Sequence, residues 1–180
     1  MASLTPTTAL GGTIPFDETV SGNRICEVGD AVMASLAMLR GQQGAFSRAA
    51  AGHLGELPAP GNAVGNGTAT TAWMGPDQYL VEGIDAAVLS AAFGTSAAVT
   101  DQSDAWVRFD VTGDDAVAML ESLSSADTRG MQAGSATRTA IHHMHCVILC
   151  RAAGTGFTIL GPRSSAASLH HALVAAAASL

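Results

Sequence analysis

The chain has 180 residues, of which 48% are hydrophobic and only 13% charged, and its formal net charge is −7. That acidic balance argues against a nucleic-acid partner, because a phosphate backbone recruits cationic side chains. The 8 basic residues are all Arg, and the absence of Lys excludes Schiff-base chemistry on a side chain and the lysine of a phosphate-binding loop.

The mean hydropathy of +0.29 is high for a protein in water. Yet Ser, Thr, Gly, Asp or Arg interrupts every apolar stretch, so no run reads as a membrane span. So little charge implies an apolar exterior that a partner covers, and poor solubility for the chain alone. Cys26, Cys146 and Cys150 are odd in number and fit no disulfide framework, and Met1-Ala2-Ser3-Leu4 opens no secretory signal. The expected compartment is a reducing cytoplasm.

In chain order, residues 1–22 read as an N-terminal arm, polar and Thr-rich up to Thr13, with apolar Ile14-Pro15-Phe16 as a docking point. Asn23–Val28 reads as a strand. Asp30–Arg40 reads as a helix, with Val32, Leu36 and Leu39 in one stripe beside Met33. A short helix over Ala45–Leu54 ends at Gly55-Glu56-Leu57-Pro58-Ala59-Pro60-Gly61, which cannot continue regular structure. Thr68–Met74 and Gln78–Val81 form a hairpin about Gly75-Pro76-Asp77, and Asp85–Phe93 is the next helix.

The chain is organised around Val99–Leu120. Here Val107, Phe109 and Val111 alternate with Arg108 and Asp110, as in a half-buried strand. Gly113 ends that strand, Asp114 and Asp115 suit the N-terminus of a helix, and Val117, Leu120 and Leu123 follow at helical spacing. Strands over Gly134–Met144 and Cys146–Arg151 come next. A turn at Gly154-Thr155-Gly156, a strand Phe157–Leu160 and a last helix from Ser165 to Ala178 complete the chain. Arg24–Leu36 parallels Arg108–Leu120, which suggests an internal duplication. The expected fold is therefore α+β in one domain of two duplicated halves, 23–95 and 96–180, each an antiparallel sheet with helices packed on it.

Several groups of residues invite a chemical reading. If His142-His143-Met144-His145 lies on a strand, His143 and His145 point the same way, two residues apart. Cys146 and Cys150 point with His142 instead, so three ligands do not converge. Adjacent His170 and His171 diverge by about 100° on a helix. Gly61–Thr68 resembles a phosphate loop loosely, but it lacks the lysine and precedes a strand, and reads as a flexible loop. Gly161-Pro162-Arg163-Ser164-Ser165 at a helix start has the makings of an anion site, against the ordinary reading of a cap by Ser164. Trp73 and Trp106 read as core residues. The residues alone therefore assign no catalytic, cofactor-binding or metal-binding site.

Four blocks carry a resemblance: Trp73–Tyr79, Thr100–Phe109, Ala136–Thr139 and Gly161–Ser165. Gly12–Asp17 and Leu169–Leu173 fit the same pattern. In this order they resemble the gamma subunit of bacterial heterotetrameric sarcosine oxidase, with Leu123-Ser124 and His145 as departures. The resemblance implies a fold similar to the folate-binding domain of aminomethyltransferases. It also implies partnership with alpha, beta and delta subunits in a complex that oxidatively demethylates sarcosine to glycine. That complex releases hydrogen peroxide and passes the one-carbon unit to tetrahydrofolate. FAD, covalent FMN and NAD belong to its alpha and beta subunits and zinc to delta, and no catalytic residue falls on gamma. The chain is then a non-catalytic assembly subunit. The alternative is a free-standing folate-binding one-carbon protein, for which Asp101, Asp104 and Asp110 are the candidate acids. Asp101 and Asp104 also suit a turn, and Asp110 a solvated strand face.

Overall fold

A computed structural model describes residues 7–180. Its strands are β1 (Asp17–Val20), β2 (Asn23–Val28), β3 (Met33–Met38), β4 (Ala63–Gly65), β5 (Thr70–Gly75), β6 (Gln78–Glu82), β7 (Ala97–Asp101), β8 (Trp106–Thr112), β9 (Ala136–Ile141), β10 (Met144–Ala152) and β11 (Gly156–Pro162). Its helices are α1 (Gln43–His53), α2 (Ala86–Phe93), α3 (Ala116–Leu123) and α4 (Ala166–Ala178). The fold is α+β. One compact unit takes the described residues up to Gly29 with Ala105–Ala133 and Thr137–Leu180, and the other takes Asp30–Asp104 with Gly134–Ala136.

The first unit holds a six-stranded sheet in the order β1-β2-β8-β11-β10-β9. Strand β8 follows its alternation: Val107, Phe109 and Val111 are buried, while Arg108 and Asp110 are half-buried on the other face. The apolar face joins Ile25, Ile148, Phe157 and Ile159 to Met119 and Leu120 of α3 and Leu169 and Leu173 of α4. Burying such side chains contributes about 1.5–3 kcal/mol each, which fixes which face the helices cover. Strand β2 pairs with β8 through Ile25↔Val111 and Glu27↔Phe109.

In the second unit the sheet runs β4-β5-β6-β3-β7. Helices α1 and α2 bring Phe46, Ala50, Leu89 and Phe93 onto Ala34, Leu36 and Val81. The Phe46 ring lies 5.1 Å from Phe93 and 6.0 Å from Tyr79. At the N-terminus of α2, Ala87 N donates to Asp85 Oδ1 at 2.7 Å, a side-chain cap.

The helix expected over Asp30–Arg40 is instead strand β3. It is a central strand, paired with β6 on one side and β7 on the other. Its Ala34 and Leu36 are buried while Ser35 and Ala37 are half-buried, and so short an apolar run does not separate strand from helix by spacing alone. Arg24–Leu36 and Arg108–Leu120 therefore agree only as far as Gly29 and Gly113, beyond which one continues as strand and the other as helix α3. Another correspondence does appear. From β2 to α2, and again from β7 to α4, the chain runs strand, strand, helix, three strands, helix. The sheet orders β4-β5-β6-β3-β7 and β9-β10-β11-β8-β2 match term by term, with the first strand of each series seated in the other's sheet.

The exterior also differs from expectation. Among the described residues the exposed large hydrophobics are Ile14, Val32, Leu39, Val88 and Leu180. Low charge comes instead from a surface rich in Ala, Ser, Thr and Gly. No helix among the described residues is long and apolar enough to cross a membrane.

Gly113 closes β8 where no side chain fits. A Cβ there would lie 2.8 Å from both Asn23 Cα and Gly22 O, which are backbone atoms that cannot swing away. Gly113→Ala is expected to lower unfolding free energy by about 1–3 kcal/mol in urea titration. Gly75→Ala adds the same methyl where nothing lies within 4 Å and should change stability by far less. Equal losses would contradict the packing described.

Candidate functional site

The histidine cluster does not lie on a strand. His142 and His143 have φ of 46° and 69° and form the two-residue link between β9 and β10. A tight hairpin asks for this left-handed backbone at both central positions, usually from Asn or Gly. His143 and His145 consequently do not share a strand face. His142 borders an open depression of about 470 Å³ with Met144, Ser165, Ala167, Ser168 and His171. His145 borders another, of about 290 Å³, with Arg138, Thr139 and Cys146. Among the described residues no three His, Cys, Asp or Glu side chains converge as metal ligands.

Cys146 and Cys150 point together into the core of the first unit. Burial pushes the Cys146 thiol up to about 11 and raises that of Cys150. Neither is set up as a thiolate nucleophile at neutral pH.

The candidate acids are engaged. Asp101 Oδ1 accepts from Ser103 N at 2.9 Å and from Ser103 Oγ at 2.8 Å. These bonds hold its carboxyl below the usual range and fix the turn that contains Asp104. Asp110 takes a two-pronged pair from Arg108, Nε to Oδ1 at 2.9 Å and Nη2 to Oδ2 at 2.6 Å. Thr158 Oγ1, fully buried, donates to the same Oδ1 at 2.7 Å and accepts from Arg151 Nε at 3.0 Å. The Arg108 and Asp110 side chains keep 21% and 32% of their exposure. This is a half-buried structural network in a cross-strand row, Cys26↔Asp110↔Thr158.

Gly61–Thr68 is more ordered than a flexible loop. It contains β4, and Asn66 Oδ1 accepts from Thr68 N and Ala69 N. At the start of α4, Ser165 makes no side-chain cap bond. Arg163 donates from its backbone N to Ala105 O at 2.9 Å and from Nη2 to Thr7 O at 3.2 Å. Trp73 and Trp106 are half-buried strand residues.

The arrangement missed in the sequence centres on Glu27. The residue is only 2% exposed. Oε1 accepts from Leu10 N and Oε2 from Phe16 N, each at 3.1 Å, so one side chain ties both ends of a loop from the N-terminal arm. Glu27 N also donates to Phe16 O at 2.7 Å. Phe16 meets the His170 ring edge-on at 4.2 Å, and Phe109 lies 6.0 Å from that ring. His170 is half-buried, and its Nε2 is buried without a hydrogen-bond partner among the described residues. Burial lowers its pKa, against the pull of Glu27 and Glu18 and with the help of His171. The signal for Glu27 was its inward register with Asn23 and Ile25 on β2. An inward carboxylate needs donors, and the backbone of the arm supplies them. The stretch Met1–Pro6 of the expected arm lies outside the described residues.

Comparisons with protein-family models and with curated protein sequences found no match. Solved structures do match. A chain of the heterotetrameric sarcosine oxidase from Corynebacterium sp. U-96, solved with pyrrole 2-carboxylate, superposes with a TM-score of 0.77 at 22% identity, covering 90% of this chain and 87% of that one. The glycine cleavage system aminomethyltransferase T from Bartonella henselae gives a TM-score of 0.60 at 14% identity. It covers 82% of this chain, which spans only 44% of the transferase. At these identities the likeness is one of fold.

Two measurements test the site geometry. In Glu27→Gln an amide –NH₂ faces a backbone N–H, so about 1–3 kcal/mol should be lost. Hydrogen exchange at Leu10 and Phe16 should then accelerate, and unchanged exchange would remove the clamp. For His170 the pKa is lowered on folding, so the unfolded chain takes up its proton first as pH falls through about 6.5. Stability is full above that pH and declines below it. His170→Phe keeps the packing on Phe16 and should flatten the acid limb of the urea midpoint between about pH 7.5 and 5; an unchanged limb would assign the loss elsewhere.

Proposed function

We propose that this chain is a gamma-type, non-catalytic assembly subunit of a cytoplasmic heterotetrameric sarcosine oxidase, working beside alpha, beta and delta subunits. In this reading the complex oxidatively demethylates sarcosine and hands the one-carbon unit to tetrahydrofolate. FAD, FMN, NAD and zinc sit on the other subunits. One observation carries the reading: the fold matches a chain of such an oxidase along nearly the whole of both molecules, but less than half of the aminomethyltransferase. The engagement of Asp110, Asp101, Cys146 and Cys150 in structure supports a scaffolding role. The matching sheet orders with exchanged first strands support an origin of the halves 23–95 and 96–180 by duplication.

Co-expressed with alpha, beta and delta subunits encoded beside its gene, the chain should purify in a yellow complex, and alone it should be colourless. A colourless monomer with no affinity for them would defeat the proposal. The aminomethyltransferase-like fold also motivates the alternative of a free folate binder. Tetrahydrofolate should leave the fluorescence of Trp73 and Trp106 unchanged under the assembly reading, and saturable quenching would favour the alternative.

A further inference from the structure

Ile14 is 80% exposed, more than any other large hydrophobic side chain among the described residues. It is not on a loose tail. Leu10 N and Phe16 N bind the two oxygens of the buried Glu27 carboxylate, so the loop between them is closed at its base. Just before that base, Thr8 ties the loop's first turn down: Thr8 N donates to Gly12 O at 2.9 Å and Gly11 N to Thr8 O at 3.0 Å. Gly11 supplies the left-handed turn with φ 83°. Leu10 and Phe16 face inward and pack on the core, while Ile14 between them faces out. The fold thus uses a buried charge to hold an apolar apex in the open, where a plain connection to β1 would need neither.

We propose that the loop Leu10–Phe16 is a pre-shaped docking element whose apex, Ile14, enters an apolar socket on a larger subunit; this rests on the assembly reading above. The loop carries no charged side chain, so seating it strips water from no ion. Its shape is set before binding, which spares the ordering entropy that a free segment would lose. A single side chain falls well short of the roughly 800 Å² per partner that a stable interface needs. Two copies of a chain with net charge −7 also repel. The first point makes Ile14 one anchor of a wider contact, and the second favours a different chain over a second copy. Glu18 stands exposed on β1 just past the loop, which suits a socket with a cationic rim.

The test is retention of the untagged chain by tagged alpha subunit when all four subunits are co-expressed. Ile14→Asp should reduce retention at least tenfold while leaving the melting temperature of the isolated chain unchanged, and Ile14→Leu should restore it. Glu27→Gln, with Ile14 intact but its base loosened, should weaken retention to an intermediate degree. Equal retention of wild type and Ile14→Asp would overturn the docking role while leaving the assembly reading in place. Failure of the wild type to be retained would overturn the assembly reading, and this inference with it. Concentration-dependent dimers of the chain alone, abolished by Ile14→Asp, would assign the apex to a second copy and reject the larger partner.

Discussion

The pairing of β2 with β8 is the constraint on which the first unit depends. Ile25 and Glu27 sit opposite Val111 and Phe109, so a strand from the beginning of the chain must find one from its second half. Only then is the sheet continuous, with β1 at its edge and β11 beyond. The pairing delivers two things together. Ile25 completes the apolar face under α3 and α4, and Glu27 arrives beneath the arm with both oxygens facing backbone donors. Loop closure over such a separation is entropically costly, and a fold rich in non-local antiparallel pairs gathers slowly.

The exchange of first strands means that the compact units do not follow the division 23–95 and 96–180. Each series of seven elements leaves out one strand of its own sheet and receives the other's, β7 beside β3 and β2 beside β8. The similar runs Arg24–Val28 and Arg108–Thr112 set β2 against β8, whereas the sheet orders set β2 against β7 and β3 against β8. The sequence does not show which strand belongs to which, since that is decided by pairing partners far along the chain.

What was legible followed local rules. The alternation around Phe109, the helix beginning at Asp85 and the hairpin through Gly75-Pro76-Asp77 all appear where the residues put them. What was not legible depended on neighbours distant in sequence. Strand β3 reads as a helix in sequence because Val32, Leu36 and Leu39 fall at helical spacing. The His142-His143 turn was taken for strand because imidazole carries none of the usual turn signals, although His tolerates the left-handed region better than most residues. Of the candidate site, Asp110 reads in sequence as a solvated strand face, and neither its Arg108 pair nor the buried Thr158 partner is legible there. Glu27 passed unnoticed because an inward carboxylate on a strand has meaning only once its donors are known.

Taken together, the polar groups of this chain hold structure in place. Arg108, Asp110 and Thr158 brace one sheet face, Asp101 a turn, and Glu27 the arm. That suits the proposed role of presenting a surface to larger subunits, and the account stands on that proposal. Native mass spectrometry of the tagged chain, isolated from the cells that make it, tests it most directly. The account predicts a one-to-one assembly with three other chains that releases flavin on denaturation. A lone species at the mass of the free chain would contradict it.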